Sequence, residues 1–447
     1  MVAARQFLYD IVDLSNIDNS RAFLPPGVSE NPASPHYFDQ VDLWAEGATR
    51  PAPLSREAVL QYVESVQVLK WGPTLVTVDS GESAVNEVAA EAAFPKGQGQ
   101  ALLEPPDGYV YHGASPYVSD VDAYIKALGD PSLYPAIEGI HLAVPGTRPQ
   151  SLEKMLVDFL ERVRAAGRIP HVSFSMSIGE GEAVDHVIAQ TDTYDDLIRA
   201  VGRIIRDYGD PVFVRIGFEF NGAWNGYHAG LYPAAYRKFV DLLREVGANN
   251  IAAIWCYEPN SPGDFDAVGQ DGEWLWYPGD DYVDWFGLDL FYHSYFTDGS
   301  DSRSASMDGG ARGVAQPGGR ETGRGGGRAG RLAESQYERS MRFLEMARRH
   351  GKPVMLSEVA AVDAHLTPDS EDPGYQDGKA DWEFWFEPFF AFLEEHPEIK
   401  GFIYMSQDYR GTRYEKNGWG DSRIQTNSYV LERWIEALRD ERFIHAK

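Results

Sequence analysis

Two periods of apolar residues organise most of this chain. From about residue 109 onward, short unbroken apolar runs alternate with longer stretches in which apolar positions return every three or four residues. The short runs are YVYHGAS (109–115), IEGIHLAV (137–144), IPHVSFSMSI (169–178), VFVRIGFE (212–219), IAAIWCY (251–257), VDWFGLDLF (283–291), PVMLSE (353–358) and IKGFIYMSQ (399–407). The helical stretches include DVDAYIKAL, SLEKMLVDFLERVRAAG with a Ser cap and a Gly stop, TYDDLIRAVGRIIRDYG, YPAAYRKFVDLLREVGA, ESQYERSMRFLEMARRHG, DWEFWFEPFFAFLEEH and SYVLERWIEAL. Strand-then-helix alternation is the mark of a parallel sheet. Eight such units in about 340 residues predict an α/β fold, a (β/α)8 TIM barrel with an N-terminal non-barrel extension. A doubly wound open sheet is the alternative, weakened because no GxGxxG follows the first strand.

The pattern is different elsewhere. FLYDIVDL has strand-like composition, the next thirty or so residues are rich in Pro, Asn and Ser and read as turns, and PLSREAVLQYVESV reads as a helix with Ser55 as N-cap. Residues 66–105 carry one strand-like run, LVTV, within Ala/Glu-rich and Gly/Gln-rich text, and read as a linker. Residues 297–334 are Gly/Arg/Ser-rich and nearly free of apolar side chains, so they read as a disordered insertion after the sixth strand, an inert insert or a lid. The expected organisation is therefore an extension at 1–65, a linker at 66–105 and a barrel at 106–447.

Charge narrows the partners. The 447 residues carry 68 acidic and 40 basic side chains, a net charge of −28, which repels phosphate backbones and anionic membranes. Neither nucleic acid nor a membrane is expected as a partner, and the chain is expected to be a monomer. Cys256 is the single cysteine, set in IAAIWCYEP, and reads as a small buried residue that excludes disulfides and thiolate clusters. Asp264, Asp266 and Gly269 fall at calcium-loop offsets, but Val268 and Leu275 occupy the remaining ligand positions, so no metal and no cofactor is expected. The visible start lacks a signal-peptide core because Asp10 and Asp13 interrupt it, which reads as cytoplasmic unless the true start lies upstream.

A barrel gathers the C-terminal ends of its strands on one rim. Glu219 closes the fourth run and Glu358 the seventh, and buried carboxylates are costly unless paired or used. Two glutamates across one mouth suit glycoside hydrolysis, one protonated as acid/base and one ionised as nucleophile, about 5–5.5 Å apart in retaining enzymes. Around them, Asn221 is a candidate to hydrogen-bond a sugar hydroxyl or Glu358, or else caps a turn. Trp224 is a stacking platform or rim packing. Arg215, at even spacing from Glu219, faces the same side and is a candidate to orient or ionise a carboxylate, or a structural ion pair. Asp289 and Tyr292 close the sixth run and could position the nucleophile or touch substrate. Trp255 and Tyr257, next to Glu258 at the end of the fifth, could stack on sugar, and Gln407 and Asp408 close the eighth as polar contacts. His141 and His293 lie near strand ends, where lone histidines are more often structural.

These motifs carry a resemblance. Glutamates at the ends of strands four and seven are the hallmark of clan A glycoside hydrolases. RIGFEFNGAW (215–224), YPGDDYVDWFGLDLF (277–291) and GKPVMLSE (351–358) resemble family 26, the β-mannanase-like family, over residues of about 109–447. The resemblance implies Glu219 as acid/base, Glu358 as nucleophile, and net retention. Phe218 stands where those mannanases usually carry His, and YMSQDY (404–409) where clan A barrels commonly place a Trp. Separately, DLSNIDNSRAFLPPGVSENPASPHYFDQVDLWAEG and PLSREAV resemble the C-terminal end of the penicillin acylase β subunit, whose catalytic N-terminal Ser and strand sandwich are absent upstream. The expected function is a retaining glycoside hydrolase acting on a β-linked glycan, mannan-like or related. The alternatives are a catalytically lapsed carbohydrate-binding barrel or an amidase-related fusion.

Overall fold

The computed structural model describes residues 40–43, 52–55, 101–261, 264–298, 334–364 and 366–446. The chain divides into two compact units, Met1–Val88 and Ala89–Lys447. In the first, β1 (Gln40–Leu43) pairs antiparallel with β2 (Ala52–Ser55), Gln40 opposite Ser55. QVDL thus forms a strand within text that reads as turns, because Val41 and Leu43 alternate at the strand period. Ser55 is the last residue of β2. The strand expected in FLYDIVDL and the helix expected after Ser55 lie outside the described residues, as does most of the insertion at 297–334.

In the second unit every expected barrel strand forms. They are β3 (Val110–Ser115), β4 (Ile137–Ala143), β5 (Ile169–Ser175), β6 (Val212–Ile216), β7 (Ile251–Tyr257), β8 (Trp285–Leu290), β9 (Val354–Val359) and β10 (Ile399–Met405). All neighbours are parallel in sequence order, and β10 closes on β3 with Gly401 opposite Tyr111. The result is a closed eight-stranded barrel, not an open sheet. A short β11 (Phe443–Ile444) adds to the start of β3. The helices are α1 (Val118–Leu128), α2 (Pro149–Ala165), α3 (Asp185–Gln190), α4 (Asp195–Tyr208), α5 (Tyr232–Glu245), α6 (Gln336–Arg349), α7 (Gln376–Asp381), α8 (Glu387–Glu395) and α9 (Ser428–Leu438). Local chemistry sets their ends: Ser335 and Glu338 form a reciprocal capping box on α6, and the Asn427 side chain accepts from the first amides of α9.

The core has two layers. Phe213, Ile254, Cys256, Trp285, Met355 and Ile403 fill the barrel, while the outward strand residues pack against the helices. Ala101, Leu102 and Leu103 also pack on the interior cluster, where the Trp285 indole N–H donates to the Leu102 carbonyl at 2.9 Å. The last residues of the stretch that reads as linker therefore belong with the barrel. No helix among the described residues is long and apolar enough to cross a membrane.

Candidate active site

β6 is shorter than its apolar run. It stops at Ile216, because Gly217 (φ 52°) and Glu219 (φ 49°) adopt left-handed conformations that turn the chain out of the sheet. Such a conformation costs of order 1–3 kcal/mol for a non-glycine residue, and the structure holds it with a dedicated side chain. The Asn225 amide donates to the carbonyls of Phe218 (2.9 Å) and Glu219 (3.2 Å). The Trp224 indole N–H donates to Glu219 Oε2 at 2.6 Å. The indole N–H of Trp224 is thus engaged with the carboxylate of Glu219.

On the opposite side of the mouth, a register shift between Leu288 and Asp289 sets Asp289 directly beside Glu358. Arg215 reaches them from β6, fully buried, with Nη1 2.5 Å from Glu358 Oε1 and Nη2 bonded to Asp289 Oδ2. Its even spacing does place it inside the barrel, and the planar fork engages two carboxylates at once. The Cys256 thiol, buried as expected, donates to the other Asp289 oxygen at 3.4 Å. Gly287 makes room for this layer: a Cβ there would lie 2.8 Å from that of Cys256. Asp289 is wholly enclosed, so it holds Arg215 and does not touch a ligand.

His141 completes the setting of Glu358. Its Nε2 lies 3.3 Å from Glu358 Oε1, and its ring stacks on Phe218 with centroids 5.4 Å apart. An imidazole thus reaches the site from β4, although position 218 lacks one. Burial alone would raise the Glu358 carboxyl; Arg215 and His141 more than reverse this and hold it down at about 2. Glu219 goes the other way. Burial, then the charges of Glu358, Asp289 and Glu258, push it well above the usual carboxylate range, against the pull of Arg215.

Glu258, at the end of β7, is a third carboxylate. Its Oε1 accepts from the Tyr295 hydroxyl at 2.5 Å and its Oε2 from the amides of Asn260 and Ser261, yet burial pushes it up to about 7. Asn221 grips the Glu258 backbone from both sides, Nδ2 donating to its carbonyl (2.6 Å) and Oδ1 accepting from its amide (3.1 Å). This pair of hydrogen bonds gives Asn221 a turn-holding role and leaves its second N–H and second oxygen lone pair unused by the Glu258 backbone.

Two further expectations are corrected. Trp255 and Tyr257 are fully buried and point outward: Trp255 stacks on Phe220 at 4.5 Å, and Tyr257 stacks on Phe343 of α6 at 5.0 Å. Strand alternation explains it, since Cys256 faces in and its two neighbours must face out. The carboxylate of Asp408 pairs with Arg410 (2.8 Å) and Arg423 (3.2 Å). Gln407 is half-buried and its carbonyl accepts from the Ser422 amide at 2.9 Å. Tyr292 is half-buried beside Tyr295, with its hydroxyl pushed up to about 12 by burial and the charges of Asp363 and Glu258.

The loop beyond β10 carries an indole that packs on the residue after β8. Trp419 is half-buried, with its ring 4.7 Å from those of Phe291 and Tyr409. Sequence reasoning singled out neither Trp419 nor Asn225, because both lie in loops; the signal for Trp419 was an indole in an otherwise polar turn, RGTRYEKNGWG. Glu258 was visible at its strand end, and His141 was set aside as a lone histidine.

A closed parallel barrel with carboxylates collected at its C-terminal rim defines the class, and comparison with known proteins agrees. Residues 177–305 match Glycosyl hydrolase family 26, and residues 5–61 match Penicillin amidase. A beta-1,3-xylanase of a Vibrio species is 30% identical over 268 residues, 56% of this chain and 47% of the relative. A beta-1,3-xylanase of an Alcaligenes species is 28% identical over 269 residues, 56% of this chain and 46% of the relative. The chain thus spans less than half the length of either. Among solved structures, an endo-beta-1,4-mannanase double mutant from Cellulomonas fimi is 17% identical, covers 76% of this chain and 73% of its own, and has a TM-score of 0.48. The barrel resembles the clan A glycoside hydrolases of family 26, and the N-terminal unit resembles penicillin amidase.

Proposed function

We propose that the barrel is a retaining glycoside hydrolase that cleaves a β-linked polysaccharide by double displacement. The observation that carries this reading is the contrasting company of two glutamates at one mouth. Glu358 is bonded by Arg215 and His141, which favours its ionised form, while Glu219, bonded by the Trp224 indole, is buried near other carboxylates, which favours its protonated form. Ionised Glu358 attacks the anomeric carbon while Glu219 gives its proton to the departing glycosidic oxygen. The ionised Glu219 then takes a proton from water, and that water releases the sugar from Glu358, restoring both groups. Arg215 and His141 keep the nucleophile ionised between turnovers. Trp224, which donates to Glu219 Oε2, holds the acid in place and supports its ionised form in the second step.

The xylanases of Vibrio and Alcaligenes make β-1,3-xylan the first substrate to test, with β-1,4-mannan as the comparator. The test is digestion of both glycans with the anomer of the first product followed by NMR. Release of β-configured ends by the wild type, abolished in Glu358→Gln and Glu219→Gln, is expected. Tight glycan binding with no product from the wild type would replace this reading with that of a binding barrel.

A further inference from the structure

A second cluster lies along the seam between the loops that follow β5 and β6. Asp185 opens α3 and is fully buried, His186 follows it, and His228 comes from the far end of the loop that carries Trp224 and Asn225. The Nδ1 atom of His228 lies 2.8 Å from Asp185 Oδ1 and that of His186 lies 3.8 Å from it. One ligand atom from each of the three falls within 4.8 Å of the others. The rings meet edge to face, with centroids 4.9 Å apart. A four-coordinate zinc ion, with bonds of about 2.0–2.1 Å, wants ligand atoms roughly 3.3 Å apart, and the observed spacings bracket that value.

Two observations point to a ligand rather than to packing. His186 Nδ1 is buried and has no hydrogen-bond partner among the described residues, although it faces a carboxylate. The other Asp185 oxygen is already fixed by the His228 amide at 2.7 Å, which leaves Oδ1 aimed between the two rings. Side-chain exposures of 23% for His186 and 44% for His228 leave one side open to water. This is the donor set of a borderline-soft divalent cation, two imidazoles and a carboxylate with an open fourth position.

We propose that Asp185, His186 and His228 bind one zinc-class divalent cation. On binding, the neutral His228 imidazole changes tautomer, its Nδ1 proton passing by way of solvent to Nε2 while the Nδ1 lone pair goes to the metal. The ion clips a seam that hydrogen bonds already cross, among them Gly181 N–H to the Trp224 carbonyl (2.6 Å) and Ser177 Oγ to the Asn225 carbonyl (2.7 Å). The backbones are already in close approach there, since a Cβ on Gly226 would lie 2.5 Å from the Gly181 carbonyl oxygen.

The test uses the full chain without a polyhistidine tag, stripped with chelator and titrated with Zn2+ and with Co2+. The expected result is one equivalent bound per chain, visible Co2+ bands of a four-coordinate site, and a melting temperature that rises on adding zinc. His186→Ala and His228→Ala should each lose stoichiometric binding and the zinc-dependent rise while melting cooperatively in the metal-free state. Glu358→Gln should bind zinc like the wild type, which keeps this test independent of the hydrolase reading. No equivalent bound by the wild type, or undiminished binding by both histidine variants, overturns the proposal.

Discussion

Glu219 and Glu358 face one mouth, yet the elements that carry them differ. Glu358 lies inside β9, locked in register beside Asp289, with a guanidinium and an imidazole on its carboxylate. Glu219 stands beyond the end of β6 in a left-handed turn held by Asn225, with carboxylates as its charged company and one indole N–H as its donor. Burial opposes ionisation of both. The cations decide: Arg215 is fully buried and bonds Glu358 directly, while it acts on Glu219 only at longer range. A rigid strand holds the group that must be charged, and a loop holds the group that must exchange a proton.

The largest effects should separate the two roles. Glu358→Ala removes the nucleophile and should abolish turnover on every glycoside. Glu219→Ala should cost about 10²–10⁴-fold on a natural glycan, but much less in the bond-breaking step of an aryl glycoside whose leaving group needs no proton. Equal losses on both substrates, measured by burst-phase kinetics, would erase the distinction.

The next test weakens the partners of Glu358. Arg215→Met strands Asp289 as a buried unpaired carboxylate, a change that typically costs about 3–5 kcal/mol, so Arg215→Lys is the useful variant. A weakened cation favours the neutral acid, so the Glu358 carboxyl should rise from about 2 and the acid limb of kcat/KM should move to higher pH. His141→Ala should move it in the same direction by less. An acid limb unmoved in both would show that neither side chain sets the ionisation.

How much of this contrast was legible depended on where each residue sits. Strand-borne features followed from period and spacing: eight strands, the two glutamates at matching ends, and Arg215 on the inner face. Alternation should also have put Trp255 and Tyr257 outside once Cys256 was placed inside, but their proximity to the strand end drew them toward the mouth. Loop-borne contacts carry no period. Asn221 on the Glu258 backbone, Asn225 on the turn, and Trp419 over Phe291 depend on where loops return. The His186–His228 approach joins residues forty-two positions apart through one short helix and one loop. The register shift that aligns Asp289 with Glu358 is likewise a property of two strands together, not of either sequence.

The same contrast predicts opposite pH dependences of stability. Glu358 has a folded value below its unfolded one, so its contribution is present above about pH 4.5 and is lost as pH falls toward about 2. Glu219 has a raised folded value. Its neutral form is favoured, and stability declines as pH rises from the ordinary carboxylate range toward that raised value. Glu358→Gln should therefore flatten the acid side of a melting-temperature profile, and Glu219→Gln should flatten the neutral-to-alkaline side and melt a few degrees higher than wild type there. Parallel profiles for the two variants would contradict the opposed settings.

The smallest effect sharpens the contrast most, because it concerns one hydrogen bond. Trp224→Phe keeps an aromatic ring but removes the N–H that donates to Glu219 Oε2. A donor to a carboxylate favours the ionised form, so its loss should raise Glu219 further and carry the alkaline limb of kcat/KM to higher pH. Turnover at neutral pH should fall by about tenfold, the order of one lost charge-assisted hydrogen bond of roughly 1.5–3 kcal/mol partly replaced by water. If Trp224 served instead as a stacking platform, Phe would preserve much of that role, and any loss would appear in KM with the limbs unmoved. A shifted alkaline limb at nearly constant KM therefore assigns the indole to the proton of Glu219, and the opposite pattern assigns it to the sugar.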